Sequence, residues 1–251
     1  MPSRWASLTV DGNEMQTYVA VPNSEGPHPS IIVAMHVFGI DKFIQGVCDD
    51  LARAGYLAVA PYLHHRQSAA TNDELISIPF EDPRRREIAM PMKDALRDDE
   101  IRRDIETTIE FIDQLPAADG TMGITGFCIG GRVAYLMPEL SDRFSASAIW
   151  YAVEPAISWG NVGRSPIEMS ENIGCPVIGF FGDLDTSPTP EEVDQIEEAF
   201  KIAGVDYVFH RYPDAQHAFN DPYNPVRWNA DATADAWPKC VAFFDSAMGK
   251  R

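Results

Sequence analysis

The sequence predicts an α/β domain, a predominantly parallel sheet flanked by helices on both faces. Short continuous apolar runs, Ser30 to Met35 and Tyr56 to Pro61 among them, have the character of strands buried on both faces. Between such runs lie stretches of helical period, so strand, helix and strand alternate as in a parallel crossover. The chain has 251 residues, 45% hydrophobic and 23% charged, enough for one large domain with a substantial core. No internal repeat, low-complexity tract or linker divides it, and a single domain over residues 1–251 is expected.

The elements follow in order. After a turn at Asp11-Gly12, the alternation in Met15 to Val21 predicts an edge strand. Ser30 to Met35 is the first core strand. Lys42 to Ala54 is a helix ending at Gly55, a suitable residue just past a helix end. Tyr56 to Pro61 is the next core strand. The stretch from His64 to Pro91 is polar, shows no clear period and carries Arg84-Arg85-Arg86; a connection of that length is the candidate lid or binding loop. Asp94 to Leu115 predicts a long helix with Leu96, Ile101, Ile105, Ile109 and Ile112 as its apolar stripe. Strands at Thr121 to Phe127, Ser145 to Tyr151, Pro176 to Phe181 and Tyr207 to Tyr212 come next, with helices at Gly131 to Leu140, Glu191 to Ala203 (stopped by Gly204) and Ala230 to Met248.

The pentapeptide Gly126-Phe127-Cys128-Ile129-Gly130 sits between a strand and a helix. That is the context of a nucleophile elbow, with cysteine where serine usually stands. Small residues two places either side of Cys128 permit the sharp turn, and the unpaired amides of the helix start favour a thiolate and later an oxyanion. A buried cysteine filling a tight turn is the competing reading.

A thiol nucleophile needs a base, and the base an orienting acid. In the α/β-hydrolase arrangement the chain order is nucleophile, acid, histidine. Asp183 and Asp185 follow the strand ending Phe180-Phe181-Gly182, and His217 follows the last strand in Pro213 to Phe219. Asp185 comes 57 residues after Cys128 and His217 another 32 on, one or two strand-helix units each. His64, His65, His210 and His28 lack that position; His210 falls inside a strand and His28 reads as loop.

Gly126-Phe127-Cys128-Ile129-Gly130-Gly131 resembles the cysteine elbow of the dienelactone hydrolase family. Phe181-Gly182-Asp183-Leu184-Asp185 resembles its Phe-Gly-x-x-Asp acid motif, which favours Asp185 over Asp183. Gln216-His217-Ala218-Phe219 is similar to its histidine motif, and Val37-Phe38-Gly39 to the loop after its early core strand. The resemblance covers residues from about Met15 to Met248. It implies an α/β-hydrolase fold and a Cys128, Asp185, His217 triad that cleaves an ester or lactone through a thioester acyl-enzyme, with no metal or organic cofactor. The oxyanion hole it implies is the amide of Ile129 with that of Val37.

The chain departs from the family at two places. Where the family carries a glutamate that contacts the resting thiol, this chain has His36. Either Cys128 rests more as a thiolate paired with His217, tuned by His36, or His36 only hydrogen-bonds its own loop. The family also holds a substrate carboxylate with arginines. Arg84, Arg85 and Arg86 are candidates for one, or form a solvated face; the other has no counterpart in Ala218-Phe219-Asn220-Asp221. The candidate substrate contacts are thus His36, Phe38, Arg84, Arg85, Trp150 and Tyr151, with Trp159 as a further aromatic. The alternatives are a carboxylesterase or thioesterase of different substrate range, and a non-catalytic ligand-binding member of the fold.

Formal net charge is −18, which repels phosphate backbones and anionic lipid, so no nucleic-acid or membrane partner is expected. No apolar run approaches the ~20 residues that span a bilayer, and Met1 to Trp5 lacks the apolar core of a secretory signal. Cys48, Cys128, Cys175 and Cys240 are dispersed, suggesting neither a disulfide framework nor a zinc site. A cytoplasmic monomer or homodimer acting on a small molecule is the expectation.

Overall fold

The computed structural model describes residues 3–67 and 70–249. They group into two compact units, one of the described residues up to 121 together with 159–162, the other of 122–158 together with the described residues from 163 onward.

The first unit begins with a hairpin. β1 (Ser3–Val10) and β2 (Asn13–Ala20) pair antiparallel, with Val10 opposite Asn13. Asp11 and Gly12 between them both take positive φ, 52° and 81°, the conformation a two-residue hairpin turn requires. β2 then pairs antiparallel with β4 (Leu57–Pro61), and β4 runs parallel to β3 (His28–Ala34). This corrects the sequence reading, which had no strand before the turn and made 15–21 the edge. β2 has neighbours on both sides. β1 escaped notice because only Leu8 and Val10 of its side chains are buried, against Met15 and the partly covered Phe111, so its period is weak.

α1 (Lys42–Arg53) is set by Asp41, whose carboxylate accepts from the amides of Phe43 and Ile44. Gly55 follows its end at φ 91°. Its buried face is Phe43, Ile44, Val47, Cys48, Leu51 and Ala52, the stripe expected of a helix packed on one side.

The stretch 64–91, polar and without clear period in the sequence, carries two helical segments, although Ser68 and Ala69 lie outside the described residues. α2 (Asn72–Ser77) starts with a reciprocal Thr71–Glu74 capping box. α3 (Pro83–Asp94) starts with Asp82 as cap and Pro83 in its first turn. Its buried positions are Arg85, Ala89 and Met92. They recur at helical spacing, but an arginine among them hides the apolar period. The long helix expected over 94–115 is α4 (Asp98–Asp113), separated from α3 by a short break. Ile101, Ile105, Ile109 and Ile112 lie buried along it, while Leu96 is buried in the break.

In the second unit four strands run parallel. β5 (Ala118–Phe127, its last six residues in this unit) pairs with β6 (Ala146–Trp150), β6 with β7 (Val177–Gly182), and β7 with β8 (Tyr207–Tyr212). The helices are α5 (Ile129–Leu140), α6 (Pro166–Met169), α7 (Pro190–Ala203) and α8 (Ala230–Ala247). α7 stops where Gly204 takes φ 71°. Trp150 anchors this core, fully buried and stacked on Phe180 at 4.1 Å and Phe127 at 5.4 Å between centroids. Truncating a side chain so placed costs about 4 kcal/mol.

Parallel strands alternating with helices make this the α/β fold expected. In such folds chemistry gathers past the carboxyl ends of the strands. There the second unit puts Cys128 after β5, Tyr151 after β6, Asp185 after β7 and His217 after β8. Among the described residues no helix is long and apolar enough to cross a membrane.

Candidate active site

β5 ends at Phe127 and α5 starts at Ile129, leaving Cys128 alone to make the turn. Its backbone takes φ 60° and ψ −114°, a region that costs a non-glycine residue roughly 1–3 kcal/mol and persists only where the surroundings impose it. Two contacts do so. The Cys128 amide donates to the Trp150 carbonyl at 3.1 Å, and the Arg132 amide donates to the Cys128 carbonyl at 3.2 Å. Gly131 is needed for the close approach, since a Cβ there would stand 2.3 Å from the Trp150 oxygen. The thiol is left half-buried at the start of a 12-residue helix, beside the amide of Ile129.

The acid is presented by a tight turn after β7. The Asp185 amide donates to the Gly182 carbonyl at 3.2 Å, and the Asp185 carboxylate accepts from the Ser187 amide at 2.8 Å. Its other oxygen accepts from His217 Nδ1 at 2.8 Å. Asp183 turns elsewhere, pairing with Arg211 at 3.0 Å. The Asp183 amide donates to the Tyr212 carbonyl and the Leu184 amide to that of Ala215, both at 2.9 Å, which ties the acid turn to the loop carrying His217.

Nδ1 of His217 is committed to Asp185, and Cys128 is a second side-chain hydrogen-bond partner of the same imidazole. Burial works against a charge on this ring. The Cys128 sulfur charge and the Asp185 carboxylate outweigh it and raise the imidazole from 6.5 to about 10. Structurally, then, the sulfur, imidazole and carboxylate form a chain of contacts suited to nucleophilic attack and proton transfer.

The family model that matches this chain is that of the dienelactone hydrolase family, over residues 15–248. The chain belongs to the dienelactone hydrolase family. It is accordingly a hydrolase of the ester and lactone class. A protein of Yersinia pestis, provisionally named carboxymethylenebutenolidase, is 30% identical over 239 residues, 95% of this chain and 86% of its own. A protein of Methylorubrum extorquens with the same provisional name is 31% identical over 232 residues, 90% of this chain and 75% of its own. A crystal structure from Klebsiella pneumoniae, provisionally named dienelactone hydrolase, superposes with a TM-score of 0.85 at 26% identity, covering 97% of this chain and 98% of its own. The α/β-hydrolase fold of the family is therefore the fold of this chain.

The other residues singled out in the sequence divide between the two units. Trp150 is fully buried, with the rings of Phe127, Phe180, Phe219 and Trp237 among its neighbours, and offers no surface to a substrate. Tyr151 is equally buried; its hydroxyl donates to Asn220 Oδ1 at 2.6 Å, and its ring meets that of His217 at 4.8 Å.

In the first unit, His36, Val37 and Phe38 form the loop after β3. His36 Nε2 donates to Asp41 at 3.0 Å, and its Nδ1 accepts from the Phe38 amide at 3.4 Å. Arg85 is buried, its guanidinium donating to Asp41 at 2.9 Å and lying 4.9 Å from the Phe38 ring centroid. Burial pushes the Asp41 carboxyl upward, but His36 and Arg85 overcome this and hold it below its ordinary value. Arg84 is exposed and paired with Asp82. Trp159 is buried, with the Lys93 ammonium 5.5 Å from its ring.

Two partners of these residues went unremarked in the sequence, and a third was set aside. Asp41 carried the signal of a helix cap, an aspartate directly before a helical period. His64, set aside for its position, donates from Nε2 to the Val37 carbonyl at 3.0 Å; burial drives its pKa to about 4 and keeps it neutral. Asn220 has no local signature, because its partner lies 69 residues away. Among the described residues no group of three or more His, Cys, Asp or Glu is arranged to hold a metal.

Proposed function

We propose that this chain hydrolyses a carboxylic ester or lactone through a Cys128, His217, Asp185 triad and a thioester acyl-enzyme. What supports this reading above all is the placement of one imidazole, bonded to Asp185 at 2.8 Å and in contact with Cys128. The Cys128 thiolate attacks the substrate carbonyl carbon, forming a C–S bond and sending the carbonyl π electrons to oxygen. The amide of Ile129, at the start of α5, stabilises that oxyanion; one such donor contributes about 3 kcal/mol to the transition state. Collapse expels the alkoxide, which takes the proton from the His217 imidazolium. Water then attacks the thioester while His217 accepts its proton, the C–S bond breaks and the thiolate is restored. Asp185 holds the ring in the required tautomer throughout. The cycle consumes water alone and uses only protein groups.

Substrate range is where this chain diverges. Arg84 and Arg85 are both taken, by Asp82 and Asp41. A carboxylate on the substrate gains little from cations already neutralised, which favours neutral esters and lactones over carboxylate-bearing ones. The working unit in this reading is the whole chain, a cytoplasmic monomer or homodimer.

A panel of aryl esters, thioesters and lactones, each with and without a carboxylate, tests the reading alongside intact-mass spectrometry. Hydrolysis with transient acyl adduct on Cys128, and loss of about 10⁴-fold or more in kcat for Cys128→Ala, is expected. Ligand binding with neither turnover nor adduct would identify the non-catalytic alternative.

A further inference from the structure

Hydrogen bonds alone do not set the plane of an imidazole. The bonds from His217 to Asp185, at 2.8 Å, and to Cys128 hold its polar atoms but leave the ring free to turn about the line between the two partners. A contact off that line is needed for a defined ring plane. Tyr151 supplies it. Its ring packs against that of His217 at 4.8 Å with 63° between planes, and against Phe219 at 5.8 Å. The ring face also suits a neighbouring imidazolium electrostatically.

The Tyr151 hydroxyl grips the same segment from another side. It donates to Asn220 Oδ1 at 2.6 Å, both residues being buried. Asn220 comes three residues after His217, in a turn where Ala218 takes φ 60° and its carbonyl accepts from the Asp221 amide. Ala218 is not glycine, so this turn requires external restraint. Tyr151 is itself at φ 37°, held by donation of its amide to the Phe180 carbonyl at 2.9 Å. The preceding carbonyl, that of Trp150, accepts from the Cys128 amide. Two consecutive residues at the end of β6 thus touch the nucleophile's backbone, the strand that leads to the acid, and the histidine with its loop.

We propose that Tyr151 is the positioning residue for His217: its ring sets the imidazole plane, and its bond to Asn220 fixes the loop that carries the imidazole. This inference rests on the proposed triad. It makes Tyr151 a part of the apparatus that aims the base, in place of a residue lining the substrate pocket.

The test uses the full-length protein and four variants, Tyr151→Phe, Tyr151→Leu, Asn220→Ala and the Tyr151→Phe/Asn220→Ala double. Hydrolysis of a p-nitrophenyl ester is measured together with iodoacetamide alkylation of Cys128 across pH and thermal unfolding. Tyr151→Phe should lose about 10-fold in kcat and Tyr151→Leu about 100-fold, with KM unchanged. Asn220→Ala and the double variant should lose no more than Tyr151→Phe, since all three break one bond. Alkylation in Tyr151→Leu should shift to higher pH, because a misplaced imidazolium no longer steadies the thiolate. A folded Tyr151→Leu with wild-type kcat overturns the proposal, as does a lower unfolding temperature with kcat and alkylation profile unmoved. Loss of kcat with an unchanged alkylation profile overturns it too, in favour of direct substrate contact. In a fifth variant, Cys128→Ala, full retention of hydrolysis would sink the triad itself, a separate outcome from any of these.

Discussion

Gly182 and Ala215 meet so closely that no side chain fits between them. A Cβ on Gly182 would lie 2.3 Å from the Ala215 carbonyl oxygen, the same oxygen that accepts from the Leu184 amide. This contact joins the turn bearing Asp185 to the loop bearing His217. The obstructing atom is backbone, so relief requires moving one loop. Gly182→Ala should cost about 3 kcal/mol in urea denaturation. It should also lower kcat by about 100-fold through displacement of the Asp185–His217 pair.

The two aspartates of the acid turn should separate cleanly. Asp185→Asn keeps the shape but permits the wrong imidazole tautomer, and kcat should fall about 10⁴-fold with little effect on KM. Asp183→Asn removes a partly exposed pair with Arg211. Its cost should stay below ~1 kcal/mol, with kcat retained. Steady-state kinetics on both variants decides the assignment, and a reversed pattern would make Asp183 the acid.

His217 is held protonated far above its ordinary range, to about 10, chiefly against burial and by the charge on Cys128. A histidine whose folded pKa is raised stabilises the fold fully below the unfolded value of 6.5. That contribution disappears as pH rises through about 10. NMR titration of the imidazole should show the high midpoint in the native protein. Cys128→Ala removes the partner charge, and the midpoint should fall well below 10.

The neighbouring arginines of α3 should differ in stability. Arg85 and Asp41 are both buried and paired at 2.9 Å. Arg85→Met leaves Asp41 with His36 and the amides of α1, and should cost about 3 kcal/mol. Arg84→Ala, on a solvated pair, should leave the unfolding curve in place. Because the Asp41 pKa is lowered from 3.8, its contribution is present above about pH 4 and lost as pH falls through the folded value. Asp41→Asn should therefore flatten the acid limb of stability against pH.

Much of the architecture was legible wherever period and composition coincide. The continuous apolar runs of β3, β4 and β7 and the stripe of isoleucines in α4 announced themselves. β1 and α3 did not. A strand with two buried side chains has almost no period, and a helix whose buried face includes Arg85 reads as polar. That arginine is inside because Asp41 is there to receive it, a fact about two segments 44 residues apart. The same holds for Tyr151 and Trp150, whose aromatic character suggested a pocket and whose neighbours turned out to be His217 and Phe180.

The sequence by itself determined the class of fold, the family, and the chain order of a cysteine, an acid and a histidine, because these reside in local patterns and spacing. Only the tertiary structure decided that Asp185 bonds His217 while Asp183 turns to Arg211, that Arg85 is buried, and that Tyr151 reaches Asn220. Those choices depend on which strand ends lie side by side. A side chain's partner is set by distances across the fold, and residues far apart in the chain carry no mark of the neighbour they will meet.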